Sequence, residues 1–257
     1  GKKAIDLAIV CIHGDPGENG KIQAYLEMKN IPCLNSDFQS SSLAFDKFIC
    51  NQFLKSQNIE TAQSLLLRKN QSFRTDKICT QLGLPLFVKP TDSGSSYGIS
   101  KVYKESKLEE AIDFAFNEGN QVIIESFLNG RELTCAAFRT GDKIKPLPIT
   151  EIISENDFFD YDAKYNGKSR EETPAKIDEE LANDIKKMTC KIYELLNLKS
   201  VARIDYIVVD RTPVVIEVNT IPGFSKASIV PQMLKLEGIE IKDFWRQLIH
   251  QELNKQP

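Results

Sequence analysis

Histidine is almost missing: the 257 residues contain two, His13 and His250. That excludes a histidine-rich metal centre, so any metal must be held by oxygen ligands, which points to magnesium. No Cys-x-x-Cys pair occurs among the six cysteines, at 11, 33, 50, 79, 135 and 190. A thiolate zinc site is therefore excluded. Cysteines lying mostly in apolar runs read as reduced core residues of a cytoplasmic protein, not as a disulfide framework. No apolar run approaches the ~18 residues of a membrane span, and the opening Gly1-Lys2-Lys3-Ala4-Ile5-Asp6 does not read as a signal peptide. A charge excess is missing too: 33 Lys and Arg face 36 Asp and Glu, a net charge of -3. Nucleic-acid modules are usually basic. Neither nucleic acid nor membrane is an expected partner.

What is present is an ordinary globular balance, 41% hydrophobic and 27% charged. At roughly 100–200 residues per domain the length suits two domains. Ile5 to Ile12 is nearly continuous apolar sequence and reads as a buried parallel-sheet strand. A turn-rich loop, 15–20, leads into a helix through Met28, and Ser40 to Ser56 reads as another helix. Strands are expected at 84–90, 99–103, 121–125, 132–138 and 148–153. Ser106 with Glu109 has the form of a capping box for a helix with Leu108, Ala111, Ile112 and Ala115 on one face. Residues 158–176 read as a long polar loop. Asp178 caps a helix striped by Leu181, Ile185, Met188, Ile192 and Leu196. Strands at 201–209 and 213–218 flank a turn at 210–212, and a last helix covers Ile241 to Leu253. Hairpins beside helices indicate an α+β body, with an α/β portion in front.

The segment from Arg203 to Asn219 carries the most chemistry. If its two strands pair symmetrically about Arg211, Asp205 faces Glu217 and Arg203 faces Asn219. All four then project from one face, with Ile204, Tyr206, Ile216 and Val218 on the other. Like charges directly opposed on a ladder are destabilising; the two carboxylates could share a proton, but a divalent cation is the simpler remedy. Asp205, Glu217 and Asn219 offer oxygen ligands to magnesium, which usually takes one or two carboxylates and completes its shell with water and phosphate. The loop 92–98 holds two Gly and three Ser, so its backbone amides can wrap phosphates. It lacks the Gly-Lys-Ser/Thr ending of a P-loop. Lys89 just before it can hold a phosphate as a point charge, and Lys47 reads on composition alone as a surface helix lysine.

Taken together, seven segments resemble the D-alanine–D-alanine ligase family of the ATP-grasp superfamily. They are His13-Gly14-x-x-Gly17-Glu18-x-Gly20, Asp46-Lys47, Val88-Lys89-Pro90, Gly94-Ser95-Ser96-x-Gly98-x-Ser100-Lys101-Val102, Tyr161-Asp162-Ala163-Lys164-Tyr165, Arg203-x-Asp205, and Glu217-Val218-Asn219-Thr220-x-Pro222-Gly223. The resemblance implies an ATP-grasp fold, with ATP clasped between two antiparallel sheets. The expected pieces are a partial Rossmann-like α/β domain at 1–46, a central subdomain at 47–125 and a C-terminal subdomain at 126–257. It also implies site roles. Lys47 and Lys89 hold the ATP phosphates, with Ser95, Ser96 and Lys164 in the same nucleotide set. Glu125 accepts from the adenine amino group beside Phe127 and Leu128, and Glu132 binds the ribose. Two magnesium ions, replaceable by manganese, sit on Asp205, Glu217 and Asn219. Arg203 and the Gly223 amide face the oxyanion, while Ser228 and the Ile229 amide take the carboxylate of the second D-alanine. Ser95, Tyr165 and His13 lie by the first substrate, and 158–176 is a lid that excludes water. A cytoplasmic homodimer is implied.

The chain also departs from the pattern. Asp92-Ser93 replaces a common Arg-Glu, and Ile229 replaces Leu. The family's preceding strand and Gly-rich loop, with an acid for the first substrate's ammonium, have no counterpart. The first domain is therefore expected to be partial, short by a third to a half of roughly 100–150 residues. Two other activities stay open: a related ligase with another acceptor such as D-lactate, against which Lys164-Tyr165 argues, and nucleotide binding without catalysis.

Overall fold

The computed structural model describes residues 5–92, 98–154 and 169–254. Three short helices come first, Lys21–Met28 (α1), Phe38–Phe45 (α2) and Lys47–Ser56 (α3). A four-stranded antiparallel sheet follows, made of Ser64–Arg68 (β1), Leu86–Pro90 (β2), Ser100–Val102 (β3) and Gln121–Ser126 (β4) in the order β1-β4-β2-β3. Its apolar face, with Leu86, Val88 and Ile124, is covered by Thr75–Leu82 (α4) and Leu108–Phe116 (α5). Phe87 stands opposite both Glu125 and Lys101. With Lys89 two residues on, these side chains form the other face.

The larger sheet comprises Arg131–Thr140 (β5), Lys143–Pro146 (β6), Thr150–Ser154 (β7), Ser169–Glu172 (β8), Val201–Val209 (β9) and Thr212–Asn219 (β10). Its order is β10-β9-β5-β7-β8, with β6 paired to β5. One face carries Leu133, Cys135, Ile204 and Tyr206. Helix Glu179–Leu195 (α6) lies on it through Leu181, Ile185 and Ile192, and α3 joins through Cys50 and Leu54. The expected cap forms, Asp178 Oδ1 accepting from the Leu181 amide at 3.0 Å. Helices Ile229–Leu236 (α7) and Ile241–Leu253 (α8) cover one end of the opposite face, over Ala136, Phe138 and Val201. Further along that face the polar groups begin.

The β9–β10 hairpin reaches the expected pairing by an unexpected route. Its turn has two residues, Asp210 and Arg211, both with positive φ, the geometry of a tight primed turn. That turn pairs Val215 with Tyr206, so a regular ladder would pair Ile216 with Asp205. Every later side chain would then lie on the wrong face. Instead the register shifts between Val215 and Glu217. Ile216 is the extra residue of a bulge, and beyond it Glu217 faces Asp205 and Asn219 faces Arg203.

Several other expectations need correction. Ile5 to Ile12 forms no sheet strand. It makes one parallel bridge, Ala8 with Cys33, and the Asn35 side chain holds Val10 at both backbone groups. With a neighbour on one side only among the described residues, Ile9 and Ile12 stay exposed. The single helix expected at 40–56 is two, broken where Asp46 turns extended and caps α3 through the Ile49 amide. The Ser106 capping box does not form, because a 3-10 turn at Glu105–Lys107 runs into α5. Of the six cysteines only Cys50 and Cys135 are buried, and Cys11 is exposed, although all are free thiols. Part of the expected long loop is β8, paired to β7. Strands β1 and β6 and helices α4 and α7 had no counterpart in the sequence reading.

On the covered side of β9, the Thr189 hydroxyl donates to the Ile185 carbonyl and lies 2.8 Å from the buried Tyr206 hydroxyl. Thr189→Val strands the phenol, so stability should fall by about 1–3 kcal/mol. Adding Tyr206→Phe should recover most of the loss. Urea unfolding of the two single variants and the double variant reads this directly.

Candidate active site

Asp205 is the centre of the polar face. It is buried, and its carboxylate accepts on every side. Arg203 approaches as a fork, Nε to Oδ1 and Nη2 to Oδ2, both at 2.8 Å. Asn219 Nδ2 donates to Oδ2 at 2.9 Å, and Thr134 Oγ1 to Oδ1 at 2.5 Å. Burial opposes the Arg203 charge, yet Asp205, together with Glu217 and Glu132, outweighs it and holds the guanidinium above its ordinary pKa. Glu132, on β5, also contributes to that field. It stands opposite Ile207, on the Asp205 face.

The second carboxylate, Glu217, is neutralised from another element. Lys47, the first residue of α3, places Nζ 2.9 Å from Glu217 Oε1. Composition alone reads Lys47 as a surface lysine, but it is buried, at 8% exposure, as a residue of the site. The break at Asp46 starts α3 at this residue, and its backbone amide is fixed on the Thr91 carbonyl at the end of β2. Burial works against the Lys47 charge, but Glu217 and, further off, Glu125 and Glu18 raise its pKa. A third pair crosses the small sheet, Lys89 Nζ to Glu125 Oε2 at 2.5 Å. Glu125 is buried, and Asn51 on α3 donates to its Oε1 at 3.1 Å. Beside it Phe127 and Leu128 are half-buried. The Phe127 ring lies 6.1 Å from Phe87 and 4.1 Å from the Lys101 ammonium.

Two further segments reach the same region. Glu18 accepts from the Gly14 amide at 2.7 Å. Burial raises its carboxyl pKa, while His13, Lys47 and Glu217 act on it from nearby. His13 itself is exposed and follows an extended segment instead of ending a buried strand. Gly223 abuts Ser228, where an added Cβ would meet the Ser228 Oγ at 3.0 Å. Ser228 precedes α7, but its hydroxyl bonds to Ser225, 2.9 Å away, and caps no α7 amide. Ile229 is the first residue of that helix. Ser95, Ser96, Lys164 and Tyr165 lie outside the described residues, as does most of the expected lid.

The fold thus gathers Lys47, Lys89, Glu125, Arg203, Asp205, Glu217 and Asn219. Sequence reasoning missed Thr134 and Asn51, and gave Glu18, part of the His13–Gly20 motif, no role. Asn51 lies one helical turn after Lys47, a signal available from spacing. Thr134 needed the knowledge that β5 is the neighbour of β9. Among the described residues no three His, Cys, Asp or Glu side chains cluster as a metal cage. The oxygen set of two facing carboxylates and one amide instead fits a hard cation that completes its shell with water and ligand phosphate. Thr134→Val removes a buried bond to a charged acceptor, so stability should fall by about 1.5–3 kcal/mol. Thr134→Ser should restore it, measured by denaturant unfolding.

Comparison with known proteins fits this geometry. The family described as D-ala D-ala ligase C-terminus matches residues 53–250. The D-alanine--D-alanine ligase of Phocaeicola vulgatus is 42% identical over 96% of this chain and 77% of its own length. The crystal structure of D-alanine--D-alanine ligase from Bacillus anthracis complexed with ATP superposes with a TM-score of 0.84, at 32% identity over 97% of this chain and 80% of that one. The VanG D-Ala:D-Ser ligase from Enterococcus faecalis superposes at 0.87, with 33% identity over 96% of this chain and 73% of that one. The match over most of the length, together with two antiparallel sheets around one charged face, establishes that the chain belongs to the D-alanine–D-alanine ligase family, with the ATP-grasp fold.

Proposed function

We infer that the protein is an ATP-dependent ligase that joins two D-alanines into D-alanyl-D-alanine, a building block of peptidoglycan precursors. A carboxylate is a poor acyl donor because its leaving group would be oxide. Transfer of the γ-phosphoryl group of ATP to the first D-alanine releases ADP and gives an acylphosphate; the neutral amine of the second attacks the acyl carbon, phosphate leaves with the bonding electrons, and the nitrogen sheds a proton. Phosphoryl transfer needs mainly positioning and positive charge. The observation that carries this reading is the set of three acid–base pairs, Lys47–Glu217, Lys89–Glu125 and Arg203–Asp205, which draw on both sheets and on α3.

On this reading Lys47 and Lys89 turn from their carboxylates to the ATP phosphates. Glu125, freed from Lys89 but still oriented by Asn51, accepts from the adenine amino group between Phe127 and Leu128. Glu132 takes the ribose hydroxyls. Asp205, Glu217 and Asn219 hold magnesium, whose charge offsets that of the phosphates. Arg203 and the Gly223 amide face the oxyanion, and preorganised donors there lower the barrier without rearranging. Ser228 and the Ile229 amide receive the acceptor carboxylate. His13, Ser95 and Tyr165 orient the first D-alanine, with Ser96 and Lys164 on the nucleotide. A cytoplasmic homodimer is our reading of its state, supported for the compartment by the free thiols. D-serine as acceptor is the second reading, motivated by the likeness to the D-Ala:D-Ser ligase.

The test is incubation of full-length protein with ATP, magnesium and D-alanine, alone and together with D-serine, reading phosphate and product mass. One phosphate per D-alanyl-D-alanine is expected. No dipeptide, or a larger yield with D-serine, overturns the assignment. Glu217→Gln should lower magnesium-dependent turnover about a hundredfold or more, and wild-type turnover in that variant removes Glu217 from the metal set.

A further inference from the structure

Strand β8 carries three charged residues in succession, and they differ. Glu172 pairs with Lys176 and Arg170 towards solvent, and the Lys176 bond holds its carboxyl below the ordinary range. Glu171 turns the other way. It stands opposite Ile152, Ile152 opposite Glu132, and Glu132 opposite Ile207. Directly opposed residues share a face, and so do residues two apart on a strand. Glu171 therefore lies on the face of Glu132, Arg203 and Asp205. It is half-buried there.

Its position is tied to the acceptor end of that face. Gln232 on α7 donates from Nε2 to Glu171 Oε2 at 3.0 Å and from the same atom to the Ala227 carbonyl at 3.1 Å. Ala227 directly precedes Ser228. Burial raises the Glu171 carboxyl pKa, against the opposing influence of Gln232 and of the Arg203 charge. Neither phosphoryl transfer nor the cation uses this carboxylate.

We propose that Glu171 binds the ammonium group of the incoming acceptor D-amino acid and takes up the proton it must lose before its nitrogen lone pair attacks, and thereby selects an amino acid over a hydroxy acid as acceptor. The proposal rests on the ligase reading, with the acceptor carboxylate at Ser228 and Ile229. In an α-amino acid the ammonium and the carboxylate hang on one carbon. An acceptor anchored by its carboxylate at 228–229 therefore carries its ammonium beside that anchor, and Glu171 is held two hydrogen bonds from the Ala227 carbonyl. An ammonium there gives the half-buried carboxylate a charged partner. A hydroxy acid such as D-lactate does not, and a site built around one polar group discriminates strongly against analogues lacking it.

Glu171→Gln tests this, because the amide keeps the shape and still offers an oxygen to Gln232. With full-length enzyme, the KM for the acceptor D-alanine should rise about tenfold or more, while the KM for ATP moves less than about twofold. With D-alanine and D-lactate competing, the ratio of dipeptide to ester should fall by a similar factor. Gln232→Met, which cuts the tether and leaves the charge, should raise the acceptor KM in the same direction and keeps the test open if the first variant does not fold. If wild type makes dipeptide and both variants keep its acceptor KM and product ratio, the role of Glu171 is overturned. Equal rises in the KM for acceptor and ATP also overturn it, by reducing Glu171 to a structural strut. Absence of dipeptide from wild type sinks the ligase reading itself.

Discussion

Two carboxylates that face each other across a hairpin set the terms for the rest of the site. Asp205 and Glu217 are directly opposed on β9 and β10, a placement that repels unless positive charge stands close. Arg203 answers one from the same strand, and Lys47 answers the other from the first turn of α3. The Lys47 arrangement requires the helix break at Asp46, the anchoring of α3 on Thr91 and the packing of Cys50 and Leu54 against the large sheet. The facing itself requires the bulge at Ile216. Backbone irregularities at two distant points thus serve one electrostatic requirement.

Stability alone does not account for these pairs. Buried ion pairs seldom beat well-packed apolar residues, because desolvation consumes most of the Coulomb gain. The surrounding cores are ordinary apolar layers, with α6 on one face of the large sheet and α7 and α8 on the other. The charged face is a cost carried by those layers. On the proposed reading its value lies in partner exchange: Lys47 and Lys89 pass from their carboxylates to phosphates, Glu217 from Lys47 to magnesium, and Glu125 from Lys89 to the adenine amino group.

Much of this was legible in the sequence, for physical reasons that differ by element. The α6 stripe and its Asp178 cap were readable because both are local, and α8 has the bounds that its periodicity gives. The pairing of Asp205 with Glu217 was readable because a hairpin makes two strands neighbours in sequence. The reason was misread, since a two-residue turn plus a bulge replaces symmetry about Arg211. Composition alone reads Lys47 as exposed, because burial of a lysine depends on a partner 170 residues away; only the family resemblance placed it in the site. Thr134 and Glu171 were invisible for the same reason: their roles follow from sheet order, which no local pattern encodes. Ile5–Ile12 was read as buried from composition, but burial on both faces needs neighbours that the described residues supply on one side only.

On the proposed reading the site's own cations occupy the carboxylates until nucleotide and metal arrive together. The most direct measurement is manganese binding in the absence of nucleotide, read by electron paramagnetic resonance, for wild type and Lys47→Met. Removing Lys47 takes away the charge that competes with the metal for Glu217. The account predicts weak binding to wild type and binding about tenfold or more tighter in the variant. Equal or weaker binding in Lys47→Met would contradict it.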